Sequence, residues 1–253
     1  MGYISRLLFC LALLLCSFGL FACQLTASWE PWEPYQFKDS QGQTAGLDIE
    51  LIGAVAGQLG CQVEYVQRPW SRTLQEIKTG SVNLSAGASI NEERKAYAHF
   101  SLPVREEKVV LLVRKGEVAN YRLNSLADVV AQRIRLGVTR GYYHGPDYQK
   151  LMQDPAFSAL VQEANGATQN LQKLDGGRVD GVLIDIAVGR QTARELGMED
   201  KFEPHPLKVL QEDVYFILSK ASVDEEMVAR INQALEILRD NGQHQAILAK
   251  YGL

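Results

Sequence analysis

The sequence predicts an α/β protein of two lobes, with the chain crossing from the first lobe to the second and later returning. Short apolar runs alternate with helical apolar periods through most of the 253 residues, the pattern of strand–helix–strand units. Residues 106–114 (EEKVVLLVR) form a continuous apolar strand that ends in Lys115-Gly116 and a polar stretch, after which the alternation starts afresh. A strand at 213–218 then leads the chain back. These two crossings divide it into residues 1–22, a first lobe of 23–112 plus 215–253, and a second lobe of 113–214.

A hydrophobic content of 46% with 22% charged residues is ordinary for a globular chain and excludes disordered and fibrous classes. Residues 1–22 differ: Arg6 is their only charge and residues 7–15 are apolar throughout. That core is too short to span a bilayer and no second apolar run follows, so it reads as a secretory signal peptide and the mature chain as an exported, periplasmic protein. Without Arg6, 25 basic side chains face 30 acidic ones, a net charge of −5. Such a surface argues against nucleic-acid and anionic-membrane partners.

Cys23 opens the first strand (CQLTASW) and Cys61 a later one (CQVEYV). If the two are neighbouring parallel strands starting at one end of a sheet, their Cα atoms lie about 5 Å apart, within disulfide reach. Export favours oxidation, and Cys10 and Cys16 leave with the leader. The alternative is that Leu20-Phe21-Ala22-Cys23 is a lipobox and Cys23 carries a lipid; the missing spacer before the first strand favours the disulfide. Residues 29–37 (WEPWEPYQF) are a proline-broken loop, 39–46 a turn, and 47–59 a helix with apolar residues at 47, 51, 52, 55, 56 and 59 that stops at Gly60. Pro69-Trp70-Ser71-Arg72 opens a helix that stops at Gly80. The second lobe carries a short helix at 126–130, a strand at 134–139, a turn at 140–146 with Pro146 near the start of the next helix, a strand at 160–164 and a helix at 168–174. A Gly176-Gly177 turn and a buried strand at 182–184 follow, ending at Asp185, where a helix runs to Leu196. The C-terminal region reads as a long amphipathic helix at 223–238 and a shorter one at 243–251.

The functional signal lies in residues 83–101 (NLSAGASINEERKAYAHFS). A short apolar strand with Val82, Leu84 and Ala86 runs through Gly87-Ala88-Ser89 into a polar helical turn carrying Arg94, and a second short strand follows with Tyr97, Phe100 and Ser101. Ligands of open α/β sheets bind outside the carboxyl ends of the strands, so a guanidinium just past such an end is placed to meet an anion. A solvated arginine beside Glu92 and Glu93 is the plainer alternative. Asp185, at a strand's end and a helix's start, suits an N-cap and a cleft contact alike.

The run 87–94 (GASINEER), followed by Ala98-His99-Phe100-Ser101 and Pro103, resembles the signature Gly-x-Ser/Thr-Ile-Thr-x-x-Arg and Phe-Ser-x-Pro of the periplasmic solute-binding proteins of the polar amino-acid ABC transporter family, bacterial extracellular solute-binding protein family 3. The resemblance extends from about Cys23 to the C-terminus. It implies a two-lobed type II periplasmic-binding-protein fold that captures a small amino-acid-like ligand, zwitterionic or carboxylated, between its lobes and delivers it to an ABC permease in the membrane. It implies further that Arg94 grips the ligand's carboxylate in a two-pronged salt bridge, with Ser89 and Gly87 beside it, that Asp185 receives the α-amino group from the other lobe, and that Trp32 and Trp70 wall the side chain. The turn at 137–143 (GVTRGYY) matches one whose helix N-terminus offers N–H groups to the carboxylate, which places Gly141 and Tyr143 at the site. Tyr143 stands where amino-acid binders carry a threonine or serine hydroxyl, and Asn83 and Asn91 replace the usual aspartate and threonine. Trp29 falls near where cation binders carry an acidic side chain, and Glu30, Glu33 and Arg72 add charge at the rim.

Catalytic signals are weak. His99, His144, His205 and His244 lack metal-ligand spacing, and no phosphate-cradling glycine loop, nucleophile-elbow serine or free thiol nucleophile is evident. No metal, cofactor or turnover is expected, and a monomer is the default state. Two further readings stay open: a periplasmic dehydratase on the same fold with Glu30 or Glu33 as general acid, and a sensor domain, which needs a following spanning helix and signalling module.

Overall fold

The structure, a computed structural model, describes residues 23–253. The expected signal peptide at 1–22 lies outside them. β1 (Gln24–Trp29) leads into the proline-rich loop, then β2 (Phe37–Lys38) and β3 (Thr44–Ala45) form a small hairpin around the turn that the sequence places at 39–46. α1 (Leu47–Leu59) packs Leu47, Leu51, Ile52 and Val55 inward and stops where Gly60 takes a left-handed φ of 69° that residues with a Cβ adopt at a cost. β4 (Gln62–Gln67) returns parallel to β1, with Gln24 opposite Gln62 and Trp29 opposite Gln67. That register brings Cys23 and Cys61 to a Cα separation of 4.4 Å and into a disulfide.

α2 (Trp70–Thr79) follows Pro69 and ends at a left-handed Gly80, and β5 (Leu84–Ala88) feeds α3 (Glu92–Lys95), capped by the Asn91 side chain on the Arg94 N–H at 2.8 Å. The next strand departs from expectation. The two short strands around Tyr97–Ser101 and 106–114 are one 17-residue strand, β6 (Ala98–Arg114). Pro103 sits within it opposite Tyr215 where the register shifts, a position that needs no donor.

The second half holds α4 (Asp128–Gln132), β7 (Leu136–Thr139), α5 (Pro146–Leu151), an unforeseen α6 (Pro155–Ser158), β8 (Val161–Ala164), α7 (Ala167–Asp175), β9 (Gly181–Asp185) and α8 (Ile186–Glu195). β10 (Phe202–Ser219) is the return strand, eleven residues longer at its start than 213–218 suggested, and α9 (Glu225–Asp240) and α10 (Gln243–Lys250) close the chain. All eight long strands form one sheet in the order β4-β1-β5-β10-β6-β9-β7-β8. β6 and β10 pair antiparallel along almost their whole length and bridge the two halves. Residues 109–113 of β6 pair with β9, several residues before the Lys115-Gly116 turn. Among the described residues, no helix is long and apolar enough to cross a membrane.

The bridge closes a loop of 38 residues in the unfolded chain, a constraint worth about 3–4 kcal/mol on the chain-entropy model. Urea unfolding of the Cys23→Ser/Cys61→Ser variant is therefore expected to lose about that much stability, with a steeper denaturant dependence because the freed unfolded chain exposes more surface.

Candidate functional site

The two halves meet over a cleft at the carboxyl ends of β1 and β5, floored by the crossing strand β6. Glu30, Trp32, Trp70, Gly87, Ser89, Arg94 and Glu107 line it from the first half and the crossing, Tyr142 and Tyr143 from the turn after β7. The space left among these side chains has a volume of ≈ 20 Å³. Of the site residues expected from the sequence, the structure thus brings together Arg94, Ser89, Gly87, Trp32, Trp70 and Tyr143.

Arg94 sits on the single turn of α3, just past β5, and is buried. Its Nη1 donates to the Ser89 carbonyl at 2.8 Å and its Nη2 to the Gly141 carbonyl at 3.1 Å, across the cleft. The guanidinium lies over the Trp70 indole at 5.5 Å. It forms no ion pair among the described residues, and burial pulls it below its ordinary pKa. Two of five donors are used, so the fork keeps capacity for an anion.

The wall opposite depends on a glycine. Gly87 adopts a φ of 79°, and a Cβ there would meet the Trp32 ring at 2.7 Å and Arg105 Nη2 at 3.0 Å. Only a residue without a side chain lets Trp32 approach the strand this closely. Behind it Arg105 and Asp48, both fully buried, form a two-pronged salt bridge at 2.9 and 3.2 Å, with the guanidinium 3.6 Å from the centre of the Tyr35 ring. Gln36 Nε2 donates to Asp48 at 3.0 Å while its Oε1 accepts the Glu30 N–H at 3.1 Å, which fixes the loop that carries Glu30 and Trp32.

Three carboxyls at the contact between the halves hold their protons unusually well. Glu30 accepts from the Trp70 N–H at 3.0 Å, at the start of α2, and from the Tyr142 hydroxyl at 2.6 Å; burial outweighs both donors and pushes it up to about 7. Glu107 points from β6 into the cavity, forms neither hydrogen bond nor ion pair among the described residues, and is pushed by burial up to about 8 although Arg105 pulls it down. Glu33 takes a hydrogen bond from Gln191 of α8 at 3.0 Å and stands beside Glu195, and its burial together with that neighbour raises it to about 7.

Other expected residues lie elsewhere. Asp185 is buried as the N-cap of α8, one oxygen accepting from the Ala187 and Val188 N–H groups and the Tyr35 hydroxyl, the other from the Lys108 N–H at 3.3 Å. It does not line the cavity. At Gly141 it is the carbonyl that meets Arg94 and Trp70. The helix N-terminus expected at 141–143 is displaced because α5 begins only at Pro146, and the Tyr142 N–H is spent on the Thr139 carbonyl. Trp29 packs beneath Lys38, and Arg72 pairs with Glu76 on the surface. Sequence reasoning missed Glu107, Arg105 and Tyr142. Residues 105–108 (REEK) are four charges in a row, and strand alternation points Arg105 and Glu107 to one face and Glu106 and Lys108 to the other, but the sequence does not say which face is buried.

The chain is matched over residues 25–253 by the model of the family described as bacterial extracellular solute-binding proteins, family 3. It is 26% identical over 229 residues to a probable histidine-binding protein of Neisseria gonorrhoeae, covering 89% of this chain and 81% of that protein. Among solved structures, an ancestral arginine-binding protein bound to arginine is 27% identical with a TM-score of 0.78, covering 91% and 98% of the two chains. A histidine kinase sensor domain with similarity to periplasmic binding proteins, 22% identical, superposes with a TM-score of 0.79 over 92% and 96%, a likeness of fold. A two-lobed fold joined by two crossing strands, a cleft-lining arginine and a family match over nearly all of the described chain lead to one conclusion: the protein belongs to the bacterial extracellular solute-binding proteins of family 3.

Proposed function

We propose that the protein captures an amino acid in the cleft between its two halves and hands it to an ABC permease, with Arg94 taking the carboxylate and Glu107 the ammonium group. One observation carries this reading: a guanidinium without a carboxylate and a carboxyl without a donor share the same buried cavity. Uncompensated polar and charged groups are costly away from water, and a zwitterion relieves both at once. Glu107 takes the role first expected of Asp185, which acts as a positioning residue. By capping α8 and holding the Lys108 N–H, Asp185 fixes the strand next to Glu107.

Relatives named for histidine and arginine binding support an amino acid as the solute. The halves serve as lobes and the paired β6 and β10 as the hinge that lets them part. The Cys23–Cys61 bridge uses the sulfur a lipid anchor would need, which supports a free periplasmic form released by cleavage ahead of Cys23. A dehydratase gains no comparable support, since both oxygens of Glu30 are held by donors and the named relatives are binders.

Refolded protein titrated with L-histidine and L-arginine at about 100 times the dissociation constant is expected to gain about 2.7 kcal/mol of apparent stability. Arg94→Ala should weaken that binding by about a hundredfold; an equal response of variant and wild type overturns the carboxylate assignment. A second expectation concerns pH. Glu30, Glu33 and Glu107 bind protons more tightly folded than unfolded, so the folded state holds more protons above about pH 4.5 and stability falls as pH rises towards about 8. The groups felt at Glu107 are Arg105, Asp185, Glu212 and Asp48, and its own charge is felt at Arg94. Melting temperatures between pH 5 and 8.5 should therefore decline, and Glu107→Gln should flatten the decline. A flat wild-type profile contradicts the assignment of Glu107 as an unpartnered buried carboxyl.

A further inference from the structure

Tyr142 belongs to the second half, yet its ring lies between two indoles of the first. Its centroid is 5.9 Å from Trp32 and 6.3 Å from Trp70, nearly perpendicular to each, within the range of favourable edge-to-face aromatic pairs. Gly141, at a φ of 80°, turns the chain so that its own carbonyl receives the Trp70 Nε1–H at 3.2 Å and an Arg94 N–H at 3.1 Å while the next side chain enters the cleft. The Tyr142 hydroxyl then reaches Glu30 at 2.6 Å. Ring, hydroxyl and preceding carbonyl thus hold this one residue across the cleft at three points. The remaining ≈ 20 Å³ is about room for one water, whereas pockets for small molecules begin at about 300 Å³.

Building on the reading of the cleft as an amino-acid site, we propose that Tyr142 is a built-in occupant of the side-chain subsite and its specificity-determining residue. A solute enters as Tyr142 turns out from between Trp32 and Trp70, and the solutes accepted are amino acids whose flat side chain ends in an N–H or O–H donor. Such a side chain replaces Tyr142 on both indoles and on Glu30. One without a donor leaves Glu30 short of a hydrogen bond in a buried site, which discriminates against it by about tenfold or more. Occupancy by Tyr142 also raises the apparent dissociation constant by the inverse of the fraction of molecules in which it has turned out.

The test compares wild type, Tyr142→Ala and Tyr142→Phe, each refolded from guanidinium to strip bound solute. Acrylamide quenching of tryptophan fluorescence is expected to rise in Tyr142→Ala; equal quenching in the two proteins overturns the occupancy whatever binds. Calorimetric titration should find L-histidine and L-arginine bound at least tenfold more tightly by Tyr142→Ala than by wild type, with L-leucine at least tenfold weaker than either. Equal or weaker binding by the variant shows Tyr142 to be a contact for the solute and overturns its role as occupant, and leucine bound equally well overturns the donor rule. If quenching rises but none of the three amino acids binds, the ligand class and the amino-acid reading fall while the occupancy stands. Should Tyr142→Ala not fold, Tyr142→Phe decides: it keeps the ring, loses the tie to Glu30, and is expected to bind about threefold or more tighter, with no change overturning the proposal.

Discussion

The cleft depends on one buried ion pair, Arg105 with Asp48. Both side chains are withdrawn from water, a situation in which losing either partner leaves an uncompensated charge and costs about 3–5 kcal/mol. The pair is tolerated because the two charges meet in two hydrogen bonds and each has further support. The carboxylate is met in a two-pronged fashion and takes a further donor from Gln36, while the guanidinium lies on the Tyr35 ring with Trp32 5.0 Å away. Through these contacts a helix (α1), a loop (30–37), a strand end (β5) and the crossing strand (β6) are fixed to one another. Trp32, Gly87 and Glu30 occupy their places because this pair does.

The crossing strand combines two roles that are usually separate. Its alternation sends Arg105 and Glu107 to the same face, one charge satisfied by the first half and the other facing the cavity. Beyond them, residues 109–113 become an apolar strand of the second half, shielded on both sides and paired with β9. A single strand therefore supplies structural support, a ligand-facing charge and the connection between halves. Asp185 works on the same strand from the other side, through the Lys108 N–H.

Much of this was legible in the residue order. The helix at 47–59, its Gly60 stop, the parallel pairing that joins Cys23 to Cys61, and the position of Arg94 beyond a strand follow from local periodicity and turn chemistry, which a linear reading can see. What escaped was non-local. Whether residues 97–114 are one strand or two depends on what Pro103 faces, and that is settled by the register with β10 more than 100 residues later. Residues 106–114 read as one continuous apolar strand, and the burial of Glu107 within it escaped because the pleat's phase is fixed by pairing partners. Asp185 satisfied two roles on paper, and its cap and its Lys108 contact took every oxygen. Tyr142 gave no local signal, since a tyrosine in a turn reveals nothing of what it meets across a cleft.

The order of the strands bears on how the chain acquires this shape. In the first half the sheet runs β4-β1-β5-β10-β6, so a central position belongs to the strand made last, which ends at residue 219 of 253. β5 and β6 follow each other in the chain, yet β10 lies between them, so the first half cannot seal its sheet while the second is still being made. Long-range pairing of this kind is slow because the loop must close before contacts reward it. The first half is then not an autonomous folding unit: its sheet stays open until nearly all of the chain is available, whereas β6, β9, β7 and β8 of the second half can pair before β10 is made.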